Sequence, residues 1–481
     1  MSDFRKTRRW PKVLAAIGVV AVLLVALVIA PTDGTPYAAR AEYDRSVASL
    51  TEALSAASIA DGPIEAGLGR ASLTPKLGQD DWVAGGFASL PLAGYAGRRG
   101  AGSTGVHDDL FVRSLALRVD GETLVFTSFD MLLVPGAVAE ALAGRLQELG
   151  LERRQLYLGA THTHSSFGGW DERLAARFVA GKSQPAVAEW IERQAAASIR
   201  EALSDLRPAT IRQGAVEAPD MIENSLSVDG TPVNAIMPFV AVEQEGGRRA
   251  VLTSFGAHPT LVPASVLELS GDYPGFLNAA LEADGFDMAL FLAGAVGGHK
   301  AIPDNKGLDA ARRYGEALAE RLEPAIAATP ALTDTQLGSA GSAVALPPLQ
   351  VRFAAGWRVR PWLADMVLQL PDTIYQQSAR VGSLVLAASP VDYSGELALR
   401  LRSALSERGL TASVTSFNGD YAGYIVPAAY DNSDSYEARD MAFFGAGAGE
   451  YLSELLIRLA VGLAPPEPAE PAGEPQAQTG G

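Results

Sequence analysis

The residues of this chain best suited to chemistry are its histidines. There are only five, and each lies among small, turn-forming or charged residues. His162 and His164 stand two apart, shortly after the strand-like run Gln155–Leu158. Side chains two apart in an extended segment point to the same face. Both imidazoles can therefore face one metal ion, and neutral imidazole is a good zinc ligand. The alternative is a structural pair, because an H-x-H pattern is frequent by chance.

Three further polar residues can line the same cleft. Asp130 ends a strand-like run and His258 precedes a proline, and we interpret both as supporting or structural rather than catalytic. His299 lies in the glycine-rich loop Gly294–Lys300. Backbone N–H groups in such loops can bind an oxyanion, so this loop is a candidate for substrate contact. Solvated surface charge is the simplest interpretation of four arginines, Arg98, Arg99, Arg153 and Arg154.

Composition excludes several other kinds of chemistry. The chain has no cysteine, which excludes disulfides, thiolate ligands and a cysteine nucleophile, and leaves His, Asp, Glu and Tyr as metal ligands. A formal charge of −16 argues against a nucleic-acid partner, because binding phosphates needs clustered Lys and Arg. The sequence contains neither a phosphate-binding G-x-x-x-x-G-K-[ST] loop nor a G-x-S-x-G nucleophile elbow.

The two ends of the chain differ in character from its middle. Residues 1–12 are basic and predict a cytoplasmic segment, while the apolar residues 13–30 predict a transmembrane signal-anchor that would span about 27 Å as a helix. The rest then lies on the extracytoplasmic side of the cytoplasmic membrane; the alternative is secretion after signal cleavage. Residues 31–61 predict a helical spacer, 62–463 the catalytic domain, and the Pro- and Glu-rich residues 464–481 a disordered tail.

Within the domain, strand-like apolar runs alternate with amphipathic stretches. This alternation predicts a single large α/β domain with mixed sheets covered by helices. The strand-like runs are Ser114–Val119, Thr123–Thr127, Gln155–Leu158, Phe239–Val242, Ala250–Thr253, Ala289–Leu292 and Ser383–Leu386. The predicted helices are Ala137–Leu149, Pro185–Ser204, Gly307–Ala328 and Ser394–Glu407.

Four groups of residues, in order along the chain, match motifs of one known family. They are Gly94–Ala96 with Gly105–Arg113; Ala160–Ser165 with Gly168–Gly169; Phe255–Thr260 with Ser270–Phe276; and Pro390–Tyr393 with Asn418–Ile425 and Tyr436–Ala438. Over residues 66–446 the chain thereby resembles the neutral (neutral/alkaline, non-lysosomal) ceramidases, zinc amidases that hydrolyse N-acyl sphingosines. The resemblance implies their catalytic domain. The C-terminal immunoglobulin-like domain of many members is expected to be absent.

The resemblance also implies a set of metal ligands. The family's Zn²⁺ ligands fall on His107, His164, Asp392 and Tyr424, and His162 becomes a neighbour that contacts substrate or metal-bound water. Two imidazoles, a carboxylate and a phenol oxygen leave room on zinc for water or a substrate carbonyl. Asp392 stands where the family has glutamate, so the backbone must approach the metal more closely or a water must intervene.

The implied nucleophile departs from the family pattern. The family's serine directly precedes an aspartate, whereas here Gly271 precedes Asp272 and the serine, Ser270, lies one residue earlier. Ser270 is the candidate nucleophile, and a plain turn is the alternative interpretation. If Ser270 does not reach the carbonyl, metal-bound water attacks, with Asp272 or His162 transferring protons.

These observations predict a membrane-anchored, zinc-dependent amidohydrolase acting on an N-acyl sphingosine or a related N-acyl lipid. A metal-dependent esterase for another substrate is one alternative, because a metal-activated water does not itself select amides. A non-catalytic, ceramidase-like binding protein is the other, because Gly271 displaces the expected serine. The sequence carries no signal for the oligomeric state.

Overall fold

A computed structural model describes residues 10–226, 232–431 and 433–465. Most of the predicted basic segment and nearly all of the predicted tail lie outside these residues. The helices are α1 (Trp10–Val28), α2 (Ala41–Ala56), α3 (Gly136–Gly144), α4 (Leu146–Leu149), α5 (Ala176–Ala180), α6 (Pro185–Ser204), α7 (Asp272–Ala283), α8 (Leu308–Ala328), α9 (Pro361–Leu368), α10 (Gly395–Ser406) and α11 (Ala448–Val461).

The first half of the chain contributes β1 (Ile29–Pro31), β2 (Ile59–Ser72), β3 (Lys76–Leu77), β4 (Gly86–Phe87), β5 (Gly105–Val106), β6 (Phe111–Val119), β7 (Glu122–Phe129), β8 (Leu156–Ala160), β9 (Arg207–Glu217), β10 (Ile222–Asn224) and β11 (Ile236–Gln244). The second half contributes β12 (Arg249–Phe255), β13 (Glu268–Leu269), β14 (Met288–Ala293), β15 (His299–Ala301), β16 (Asp334–Ala345), β17 (Arg352–Ala354), β18 (Trp357–Val359), β19 (Thr373–Val381), β20 (Leu384–Ser389), β21 (Asp392–Tyr393), β22 (Thr411–Ser416) and β23 (Tyr424–Ile425).

One twelve-stranded sheet organises the molecule, and it branches at the long strand β2. The branches run β9–β11–β12–β14, β6–β7–β8 and β16–β19–β20–β22. Each branch closes with a parallel pair, β12 with β14, β7 with β8, and β20 with β22. The end strands β8, β14 and β22 contact one another. The predicted mixed α/β fold is therefore confirmed.

Helices cover the outer faces of the branches, as predicted. Helices α3, α6, α7 and α8 contribute to one apolar cluster, and α2, α10 and α11 to another. A third cluster fills the space between the branches, with Leu68, Leu115, Phe126, Leu290 and Leu386 all buried. Every predicted strand-like run and helix listed from the sequence falls within or across an observed element of the same type.

Strand β2 was not predicted from the sequence, because glycine interrupts its apolar pattern. A Cβ at Gly67 would overlap the carbonyl oxygen of Ala202, and one at Gly69 would overlap that of Ser198. Helix α6 therefore lies directly on the backbone of β2. Only the absence of a side chain permits this approach.

The N-terminal region is joined to the domain more closely than a spacer would be. Strand β1 continues directly from α1 and pairs with β18. Helix α2 is the predicted helix of residues 31–61, but it packs on β16 and α11 and buries Leu50 in the domain core. The apolar face of α2 therefore forms part of the domain core. Helix α1 itself is exposed along its length.

Candidate metal centre

The candidate metal centre is built from loops that follow the parallel strand pairs. His162 and His164 follow β8, His258 follows β12, and Asp392 follows β20. Tyr424 lies in β23, opposite Asp392 in a short parallel pair. Loops at the carboxyl ends of parallel strands are the usual place for a binding site in α/β folds.

Three imidazoles converge on one point. The Nε2 atoms of His162 and His164 are 3.1 Å apart, and that of His258 lies 3.0 Å from each of them. Ligand nitrogens on a tetrahedral Zn²⁺ are about 3.3 Å apart, given bond lengths near 2.0–2.1 Å. The triangle is therefore close to one face of a zinc coordination tetrahedron.

Backbone carbonyls determine which ring nitrogens carry protons. His162 Nδ1 lies 2.6 Å from the Leu132 carbonyl oxygen, and His258 hydrogen-bonds the Val296 backbone. A carbonyl only accepts, so the Nδ1 of His162 donates and its Nε2 presents a lone pair. The His162 ring is also held in place by Phe417, stacked at 3.7 Å between ring centroids.

The three histidines are held in their neutral form. Burial, together with the other imidazoles, lowers the pKa of His162 and His164 well below 6.5. Burial lowers the pKa of His258 to about 4. Neutral imidazole is the metal-binding form. Three lone pairs at this separation repel one another unless a cation lies between them.

A buried carboxylate faces the same point. Asp392 Oδ2 accepts a hydrogen bond of 2.7 Å from the Tyr421 hydroxyl, and Tyr424 also hydrogen-bonds the carboxyl group. Asp392 Oδ1 has no hydrogen-bond partner among the described residues and lies 3.9 Å from His162 Nε2. Burial raises the pKa of Asp392 to about 8, and no Lys or Arg of the described residues forms an ion pair with it.

This donor set fits a metal ion. The group of His162, His164 and His258 can bind one by its spacing and burial, and the unpartnered Oδ1 of Asp392 is a further anionic donor beside it. A divalent cation here would relieve both the repulsion between imidazoles and the burial of the carboxylate.

Comparison with known proteins finds a family match for part of the domain that carries this centre. Residues 77–227 match the family described as neutral/alkaline non-lysosomal ceramidase, N-terminal. This region is similar to the N-terminal domain of the neutral/alkaline ceramidases. The predicted resemblance is therefore confirmed. No curated protein matches the chain at a significant level.

Two solved structures share the fold of this ceramidase-like chain. Neutral ceramidase from Pseudomonas aeruginosa superposes with a TM-score of 0.70 at 20% identity, covering 84% of this chain and 75% of that one. A structure titled as a ceramidase complexed with C2 gives a TM-score of 0.70 at 19% identity, with the same coverage of 84% and 75%. At this level of identity the likeness concerns the fold.

Of the predicted ligands, the structure does not bring His107 into the imidazole group. Its Nδ1 lies 2.9 Å from Asp108 Oδ1, and its partly exposed ring packs edge-on against Phe276. His107 follows the short strand β5, which pairs with β13 and not with a strand of the twelve-stranded sheet. His258 supplies the third imidazole instead. The pattern of Phe255–Thr260 directly after a strand was the signal that identified His258, although we interpreted it only as supporting.

His162 and His164 come together by a route other than the predicted one. The pair lies beyond the end of β8, and His162 has a left-handed backbone with φ of 60°. The two rings meet through this turn rather than along one pleat of a strand. Next to them, Gly94 has φ of 104°, and a Cβ there would lie 2.6 Å from His164 Cα, so glycine is required for the close packing on His164.

The predicted catalytic residues Ser270 and Asp272 lie beside the histidine loop but have other partners. The Ser270 hydroxyl accepts from the Asp272 N–H at 3.1 Å and hydrogen-bonds the Asp108 carboxylate. The Ser270 carbonyl accepts from Thr163 Oγ1 at 2.7 Å. Asp272 accepts from the backbone N–H groups of Val262 and Tyr273. In this arrangement Asp272 anchors the loop that carries His258.

The remaining candidates support the structure around the centre. Asp130 Oδ2 accepts from Arg113 and from the Phe111 N–H. His299 is buried, and its Nε2 accepts from the Asn234 N–H at 3.2 Å. In its glycine-rich loop the Gly297 N–H donates to the Tyr393 carbonyl and the His299 N–H to the Val296 carbonyl, so these two N–H groups are already paired.

The role of Arg98 was not predicted from the sequence. We predicted surface charge, but Arg98 is buried and donates to the backbone carbonyls of Ala93, His164, Ala264 and Val266. One guanidinium thus joins the loop of His164 to the segment after His258. Its position two residues after the motif Gly94–Ala96 was the available signal.

Proposed function

We propose that this chain is a membrane-anchored, zinc-dependent amidohydrolase that cleaves the amide bond of an N-acyl sphingosine or a related N-acyl lipid. The observation that carries the proposal is the convergence of three neutral imidazoles with the free Oδ1 of Asp392. The ceramidase N-terminal domain supports the choice of an amide as substrate. We assign His162, His164, His258 and Asp392 as the metal ligands, with Tyr424 beside them.

Zn²⁺ at this position would polarise the scissile carbonyl and lower the pKa of a bound water. The protein supplies orientation around it. Carbonyl hydrogen bonds hold the rings of His162 and His258 with their Nε2 lone pairs inward. The Tyr421 hydroxyl holds Asp392 Oδ2 and leaves Oδ1 turned toward the imidazoles.

Water is the nucleophile that this arrangement favours. The Ser270 hydroxyl is fully buried and already hydrogen-bonded to Asp108 and Asp272, so it would have to leave both partners before attacking. In the hydrolysis we propose, water delivers OH to the acyl carbon and a proton to the departing amine nitrogen. The products are a fatty acid and a free amino group.

An apolar pocket beside the centre suits the acyl chain. It has a volume of about 280 Å³ and contains the side chain of Tyr421, which bonds Asp392. Most of its wall is apolar and includes Leu133, Phe178, Leu368 and Phe443. Such a pocket excludes water from a hydrocarbon chain while the polar end of the lipid lies at Asp392.

We further propose that α1 is a retained anchor that places the domain on the extracytoplasmic side. The helix is apolar, exposed and long enough to cross a bilayer. Intact-mass measurement of the chain isolated from membranes tests this directly. Loss of the first 30 or so residues would indicate a cleaved signal peptide instead.

The decisive test combines metal analysis with turnover. The full chain in detergent is expected to contain one zinc and to release fatty acid from N-acyl sphingosines. His164→Ala should lose both properties, while Ser270→Ala should keep its zinc and most of its turnover. Bound zinc without turnover on amides or esters would favour a binding protein, and turnover confined to esters would favour an esterase. Fresh protein without metal would refute the mechanism.

A further inference from the structure

Two adjacent elements expose large apolar side chains on the surface of the domain. Five of them, on the β17–β18 hairpin and on α9, are each between 41% and 51% exposed: Phe353, Trp357, Trp362, Met366 and Val367. We refer to these residues as the 353–367 surface. A soluble protein rarely exposes such a group unless it meets another molecule or a membrane.

Helix α1 ends against this surface. Strand β1, which continues α1, pairs with β18 so that Ile29 faces Val359. The Arg360 side chain donates to the Ala26 carbonyl at 2.6 Å, and the Trp362 indole donates to the Leu27 carbonyl at 3.3 Å. These contacts tie the hairpin and the start of α9 to the last turn of α1. Whatever level of the bilayer that turn reaches, the 353–367 surface lies beside it.

The charge of this region suits a lipid interface. Residues 352–367 contain three arginines, Arg352, Arg358 and Arg360, and one acidic residue, Asp365, in a chain whose formal charge is −16. Basic side chains are attracted to anionic headgroups, and Trp is favoured at the boundary between headgroups and hydrocarbon. The combination of two tryptophans with three arginines is typical of a membrane-contacting segment.

The same surface borders the apolar pocket. Leu368 and Leu370, directly after the surface residues, line that pocket together with Phe178, which is 67% exposed. The segment before α5 is joined to α9 by a 3.1 Å hydrogen bond from the Ala175 N–H to the Val367 carbonyl. An apolar route therefore leads from the exposed surface to the pocket that contains Tyr421.

We propose that the 353–367 surface inserts into the outer interface of the bilayer that α1 crosses, so that a lipid enters the pocket laterally from the membrane. This proposal rests on the proposed anchor and on the pocket of the proposed function. The domain is then docked on the bilayer in one orientation rather than tethered above it.

Spin labels can test this in the full chain, because it contains no cysteine. We would label Phe353→Cys and Met366→Cys in nanodiscs of phosphatidylcholine and phosphatidylglycerol, and compare collisions with oxygen and with a water-soluble nickel chelate. Val20→Cys in α1 is the lipid reference. Val83→Cys and Leu332→Cys, at positions 57% and 46% exposed, are the matched surface controls.

The expected result is that labels at 353 and 366 collide with oxygen, relative to the chelate, several-fold more than labels at 83 and 332. If the labels at 353 and 366 collided mainly with the water-soluble chelate while the label at 20 collided mainly with oxygen, the insertion would be overturned and the anchor would remain. Water-like values at all three would overturn both. The measurement needs neither metal nor turnover, so its outcome is independent of whether the chain is an amidase.

Discussion

At the scale of single residues, the candidate centre depends on backbone carbonyls as much as on histidines. The Leu132 carbonyl orients His162, and the Val296 backbone does so for His258. Because each of these rings donates its Nδ1 proton to the backbone, its Nε2 lone pair points toward the centre. The protein thus prepares a ligand set before any ion binds. His107 Nδ1 likewise lies 2.9 Å from a carboxylate oxygen, of Asp108, but His107 is not part of the group of three imidazoles.

Removing His258 should therefore affect metal binding far more than removing His107. We expect His258→Ala to weaken zinc affinity by about a hundredfold or more, since even residues behind the ligands contribute 10–100-fold. Competition titration against a chromophoric chelator measures the affinity. His107→Ala is the matched control and should bind zinc normally. A comparable loss in His107→Ala would restore the ligand set predicted from the sequence.

His299 makes stability sensitive to acid. Burial lowers its pKa from 6.5 to about 4, so between these values the unfolded chain takes up a proton that the folded chain does not. Its contribution is complete above pH 6.5 and is lost as the pH falls toward 4. Between about pH 7.5 and pH 5, we expect the free energy of unfolding to fall by about 2 kcal/mol less in His299→Gln than in the unchanged chain. Urea unfolding in detergent across this pH range measures the difference. An unchanged dependence of the unfolding free energy on pH would contradict the prediction. His107→Gln is the control.

At the scale of elements, close packing of α6 on β2 decides where the central strand can lie. The strand carries glycine where the helix backbone passes, at Gly67 and Gly69. Strand β2 pairs with one strand from each of the three branches. Its position therefore determines where each branch begins. A disturbance at this contact should spread to the whole sheet.

Gly67→Ala is expected to destabilise the domain by about 3 kcal/mol or more, because its Cβ would overlap the Ala202 carbonyl oxygen. Gly144→Ala provides the control. It lies in α3 with nothing near its would-be Cβ, and alanine in a helix is favoured over glycine by about 0.5–1 kcal/mol. Thermal unfolding of the two variants should therefore shift in opposite directions, and equal shifts would refute the packing argument.

At the scale of the whole molecule, the segment between α1 and β2 joins α1 to the core. Helix α2 buries Leu50 against α11 and β16, and β1 extends the β17–β18 hairpin. A rigid connection of this kind transmits the position of α1 to the domain. It is the structural basis for the fixed orientation on the membrane that we propose.

Leu50→Ala should lower the free energy of unfolding of the domain by about 2–4 kcal/mol, the usual cost of a core cavity. A detachable spacer would instead unfold separately and leave the domain unaffected. Urea unfolding followed by near-ultraviolet circular dichroism distinguishes these outcomes. Val83→Ala, at an exposed position, is the control and should change stability by less than about 0.5 kcal/mol.

The sequence alone determined features that depend on local pattern. The apolar run of α1, the period of α6 and α8, and the strand before His162 are each encoded by neighbouring residues. Family motifs pointed to His164 and Asp392, which the structure places at one site. Residues that permit close backbone packing, such as Gly67 in β2, interrupt these patterns. The strand that contains them is therefore not predicted from the sequence.

Tertiary structure decided which distant residues meet. The third imidazole could have come from His107 or His258, because both stand among motif residues. Only the parallel pairing of β12 with β14 and of β7 with β8 brings the loop of His258 to that of His164. Likewise, the burial of Arg98 and of α2 depends on partners far along the chain. Contacts between loops arise from the arrangement of the sheet, which no local pattern contains.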